Sequence, residues 1–138
     1  MTVSVPASLP VGGSRTQDLG AVITFTADNT ATTNSPIIDM CGCIGVVISV
    51  NITAITGTSP TLTVTIQAGD GASGLFPTVL QSAALATTGM TRLVVYPGNT
   101  VTGNISASTV MSQYLRVVAQ IGGTTPAVTA TIGVCLIN

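Results

Sequence analysis

GVVISVNITAITGTSPTLTVTI, residues 45–66, alternates apolar and polar residues on both sides of a GTSP interruption. In an extended chain Val46, Ile48, Val50 and Ile52 share one face, and Val47, Ser49, Asn51 and Thr53 the other. After the interruption Leu62, Val64 and Ile66 oppose Thr61, Thr63 and Thr65. A period of two predicts β-strands. The stretch GTSPTLTVTI (57–66) returns almost unchanged as GTTPAVTATI (123–132). In each copy Gly permits positive φ, Ser or Thr caps a turn, and Pro opens a strand where its missing N–H is tolerated. Each copy therefore predicts a hairpin, GTSP joining 46–55 to 61–67 and GTTP joining 114–121 to 127–137. The residues between the copies do not match, which argues against a short-period solenoid. Convergent hairpin chemistry and duplication both account for the pair.

Further strand signals occur at VITFTA (22–27), LFPTVLQ (75–81), TRLVVYP (91–97), TVTGNIS (100–106) and YLRVVAQI (114–121), each bounded by Gly, Pro, Asn or Ser clusters. Within 114–121, Leu115, Val117, Ala119 and Ile121 share a face; in the last strand Val128, Ala130, Ile132, Val134 and Leu136 do so. No helical periodicity is found. The expectation is an all-β fold, an antiparallel β-sandwich of jelly-roll or Ig-like type with about eight strands. Residues 1–20, with Pro6, Pro10, Gly12 and Gly13, read as an extended N-terminal arm, and 21–138 as a single domain. The start MTVSVPASLPVGG lacks a basic region and a continuous apolar run, so no secretory signal is expected.

Composition narrows the function. The 138-residue chain has no Lys, Glu or His, and its ionisable residues other than Cys and Tyr are Arg15, Arg92, Arg116, Asp18, Asp28, Asp39 and Asp70, giving net charge -1. Scattered arginines cannot form the basic stripe that phosphate backbones or anionic membranes require, so neither nucleic acid nor membrane is an expected partner. Mean hydropathy is +0.68, yet no apolar run is long enough for a spanning helix. Four aromatic residues cannot build the girdles of a transmembrane barrel. Charged residues are 5% of the chain, and so neutral a surface suppresses association poorly. Homo-oligomerisation or incorporation into a larger assembly is expected.

Catalysis is not expected. General acid and base work uses His, Glu or Lys near neutral pH, and Ser or Cys nucleophiles need a base to activate them. GDGASG (69–74) satisfies a dinucleotide fingerprint in form, but LFPTVLQ follows it where the fingerprint needs a helix. Cofactors and metals are therefore not expected. An Asp28–Asp39 carboxylate pair, or a Ca²⁺ at Asp70, has no motif behind it. Cys41, Cys43 and Cys135 read as reduced thiols, with a Cys43–Cys135 disulfide sterically open. Tyr96, Tyr114 and Phe76 are the available platforms for a sugar ring, and core packing or a hydrogen-bonded phenol is the competing use.

VVISVNITAITGTSPTLTVTIQAGDG, RLVVYPG and YLRVVAQIGGTTPAVTATIGVCLI together resemble small β-rich virion proteins of tailed bacteriophages over residues 37–137. An SPTL strand leads through Gln67 into an Asp-Gly loop, and a YLRV strand leads through GGTTP into the last strand. Such loops often carry an aromatic residue soon after Asp-Gly; here Phe76-Pro77 is displaced onward. The resemblance implies a capsid decoration or cement protein, trimeric, clamping neighbouring major capsid subunits on the head exterior. The protein would then reside in the virion, assembled in the host cytoplasm. A neck, tail or fibre component fits the same resemblance, and a receptor- or carbohydrate-binding module is the opposing class. The expected protein-contact residues are the Thr61, Thr63, Thr65 face and Arg15 in the arm.

Overall fold

The computed structural model describes the backbone of residues 16–27 and the full residues 32–40 and 42–137. It is all-β, with β1 (Thr16–Ala27), β2 (Thr32–Asn34), β3 (Ile38–Asp39), β4 (Gly45–Gly69), β5 (Thr78–Gln81), β6 (Gly89–Val95), β7 (Ser106–Ala107) and β8 (Tyr114–Ile137). Among the described residues no helix is long and apolar enough to cross a membrane.

GTSP and GTTP are not hairpin turns. β4 and β8 run straight through them as strands of 25 and 24 residues and pair antiparallel from Gly45↔Ile137 to Gly69↔Tyr114. The two copies lie opposite each other, with Thr58 against Thr124, Leu62 against Ile121 and Ile55 against Val128. Adding the same residue offset turns each of these pairs into another of the set, so the crossing has a local two-fold. Gly57 (φ 124) and Ser59 (φ 49) on one strand match Gly123 (φ 113) and Thr125 (φ 47) on the other. The positive φ values let each strand kink sharply while it stays paired with the other, with the register breaking on both sides of Thr58.

Outer strands line this central pair. β1, β2 and β3 pair with successive stretches of β8, and β5 and β6 with opposite halves of β4. These contacts are antiparallel, whereas β7 adds to β6 in parallel. The expected two-sheet antiparallel sandwich is thus, in its hydrogen bonding, one mixed sheet of order β1-β8-β4-β6-β7. The first strand begins at Thr16, ahead of the expected domain start at Ala21. The rest of the expected arm, residues 1–15, lies outside the described residues. TVTGNIS is mostly a turn, with Asn104 at φ 63, and only Ser106 of it enters a strand.

The sheet is strongly curled, and the connections require it. A straight strand the length of β8 would span about 80 Å. Yet Asp39 pairs with Tyr114 at one end of β8, and Gly45 pairs with Ile137 at the other. The chain between them reaches no more than about 20 Å. Its hydrogen bonds mark the bridge: Met40 N–H to Gln113 O, Cys43 N–H to Met40 O and Ile44 N–H to Ile137 O, each 2.8 Å. β4 and β8 therefore double back at their kinks, and the sheet closes into a half-barrel with the kinks at one rim. The other rim carries both ends of the long strands.

With no helix among the described residues to cover it, the concave face is buried against itself. Val46, Ile48, Val50, Leu62, Val64, Ile66, Leu115, Val117, Val128, Ile132 and Leu136 are fully buried in one cluster. Where the outer strands break off, serine hydroxyls replace the missing ladder. Ser35 follows β2 and its Oγ accepts from Val117 N–H, while Ser82 follows β5 and its Oγ accepts from Val64 N–H, both at 2.9 Å. Each Ser also donates its own backbone N–H to the same residue's carbonyl, at 2.8 Å. Among the described residues no buried side-chain nitrogen or oxygen lacks a partner, as a core of this kind demands.

Candidate contact surface

Thr61, Thr63 and Thr65 stand on the convex face of β4, as their alternation requires. They are half-buried, opposite Gly122, Gln120 and Val118 of β8, with Gln81 of β5 beside Thr65. The next pair along this face is Gln67 and Arg116. Arg116 donates from Nε and Nη2 to Gln67 Oε1 at 3.0 and 2.6 Å, and its guanidinium lies 4.9 Å from the Phe76 ring centroid. A neutral amide and an aromatic face thus hold the cation flat on the sheet. The convex face of this half is a run of Thr, Gln and Val with one stacked Arg. Arg15 lies outside the described residues.

The other sequence candidates go to packing. A Cβ on Gly45 would come within 2.8 Å of the Tyr96 ring, and one on Gly71 within 2.8 Å of the Tyr114 ring, so each phenol lies against a glycine backbone. The Tyr114 hydroxyl accepts from Gln113 Nε2 at 3.3 Å. Phe76 is the platform beneath Arg116. In the GDGASG loop Asp70 Oδ1 accepts from Ala72 N–H at 2.8 Å, and its carbonyl accepts from Gly74 N–H at 3.0 Å. That carboxylate is therefore engaged in the turn of its own loop. Among the described residues no group of three or more His, Cys, Asp or Glu could hold a metal ion. Asp28 and Cys41 lie outside the described residues. Cys43 and Cys135 are not joined in a disulfide. A shallow depression of about 320 Å³ lined by residues 84–91 contains no titratable side chain.

One feature of the surface was not expected from the sequence. Among the described residues the exposed large hydrophobics are Ile37, Ile44, Leu75, Met90, Val101, Ile105 and Val110. All but Met90 belong to connections at or beside the open rim: 35–37, 42–44, 70–77, 96–105 and 108–113. Leu75 and Val110 are 69% and 71% exposed. Ile37, Ile44 and Val110 are apolar residues set among turn residues, which was the available signal, whereas Leu75, Val101 and Ile105 fall in stretches whose composition reads as strand. Which of them share a rim depends on the curl of β4 and β8, which local sequence does not carry. Monomer surfaces seldom gather apolar side chains in this way without a contact to make.

Comparison of the chain with protein-family models, with curated proteins and with solved structures returns no match.

Proposed function

We propose that the protein is a non-enzymatic structural component of a bacteriophage virion. The preferred role is a capsid decoration or cement protein that binds the outer surface of the head as a homo-oligomer, with a trimer as the working stoichiometry. The observation that supports this reading best is the pairing of two surfaces on one β body: a convex Thr, Gln and Val face on which Arg116 lies stacked flat, and a rim of exposed apolar side chains. Such surfaces join neutral subunit junctions at small desolvation cost, since few charges must leave water. In this reading the opposed halves of the curled sheet serve as a β-sandwich of jelly-roll or Ig-like shape. The Thr61, Thr63, Thr65 face is the contact to the major capsid protein or other virion proteins, and the arm, with Arg15, is a contact to neighbouring virion subunits, copies of this chain among them.

A neck, tail or fibre position is compatible with the same surfaces. A sugar-binding module is less well supported, because Tyr96 and Tyr114 lie against Gly45 and Gly71. A glycan array separates these readings. The expected result is no saturable binding. Saturable binding lost on Tyr96→Ala or Tyr114→Ala would transfer the function to sugar recognition.

A further inference from the structure

From the geometry of the open rim we infer that it is the docking site for residues 1–15 of a neighbouring copy of this chain. β1 starts on that rim, with Thr16 paired to Ile137. The segment that precedes it is MTVSVPASLPVGGSR, apolar at Val3, Val5, Leu9 and Val11 and without a charged side chain before Arg15. Pro6 and Pro10 favour extended backbone in such a segment. It meets a rim of matching chemistry, where Ile37, Leu75 and Val110 are exposed.

Reach allows the segment to cross to a neighbour's rim. Fully extended, fifteen residues span about 50 Å. Each half of the rim is about 20 Å wide, at about 4.8 Å per strand for the four lanes that end in it, β1, β8, β4 and β6 on one side and β3, β8, β4 and β5 on the other. The segment is thus long enough to leave its own body, and a chain with 5% charged residues favours a second copy as its partner. Head-to-tail docking of this kind closes into a ring when the rotation allows. The inference rests on the proposed function only in taking the protein to work as an assembly of copies.

The test needs no particle. Analytical ultracentrifugation of the purified full chain is expected to show a closed oligomer. Deletion of residues 1–15 is expected to reduce it to the mass of one chain while the far-ultraviolet circular dichroism stays that of a β protein. The double variant Leu75→Asp, Val110→Asp, which alters exposed loops and spares the core, is expected to give the same monomer. A synthetic peptide of residues 1–11 should bind the truncated chain saturably and fail to bind the truncated double variant. A monomeric full chain, or a truncated chain that keeps the full-length oligomer, would overturn the inference. Neither result bears on whether the protein binds particles, so the two proposals fail separately.

Discussion

Replacing Gly57 or Gly123 with Ala is expected to destabilise the protein by about 3 kcal/mol or more in each case, read from denaturant unfolding. Two effects combine. An L side chain at φ 124 or 113 is strained, and the added Cβ meets backbone that cannot swing aside. At Gly57 it would stand 2.7 Å from Thr125 O and 2.9 Å from Pro126 Cα; at Gly123, 2.6 Å from Ser59 O and 2.9 Å from Pro60 Cα. Gly98→Ala is the control, with φ 83 but open space around the new methyl, and should cost about 1 kcal/mol. Because the two glycines press on opposite sides of one crossing, the double variant should depart from additivity. Two separate hairpins would give additive losses.

The second large effect is expected at Ile132, which is fully buried between Val50 of β4 and the backbone of β1 at Ile23. Ile132→Ala removes buried hydrocarbon from a core framed by hydrogen-bonded strands, and should cost about 2–5 kcal/mol. Thr131→Ala, one residue away on the convex face, should stay within about 0.5 kcal/mol of the parent. Thermal or denaturant unfolding of the two variants checks this. Equal losses would mean that the inward face of β8 had been assigned to the wrong side.

Much of the fold was legible because burial repeats every second residue. The inward sets read from the alternation, Val46 to Ile52, Leu62 to Ile66, Leu115 to Ile121 and Val128 to Leu136, are all buried in the structure. What the sequence concealed was whether the arms on either side of GTSP and GTTP pair with each other or with the other copy's arms. A hairpin and a kink that continues the strand ask for the same residues: a Gly at positive φ, a short polar residue that tolerates the left-handed region, and a Pro where a ladder N–H is not needed. The apolar pattern on either side is identical in the two cases. Only the long-range pairing of one copy with the other distinguishes them. The rim was hidden for the same reason, because Ile37, Leu75 and Val110 lie by the Gly69–Tyr114 end of the long pair and Ile44, Val101 and Ile105 by the Gly45–Ile137 end, and the two ends share a rim only when β4 and β8 fold back on themselves. Thr61, Thr63 and Thr65 were placed correctly on a polar face by alternation. That Arg116 would lie across Gln67 and Phe76 depended on a register between distant strands that no local pattern encodes.

The central claim, that this β body exists to be built into a virion, is tested most directly by electron microscopy of intact particles that carry the chain, with antibody labelling or direct reconstruction to locate it. Many copies are expected in a regular array on the outer surface of the head, with the Thr63 and Thr65 face against the shell. A single ring at the neck or tail would move the protein to the alternative position within the virion. Particles without the protein, from cells that express it, would contradict the account.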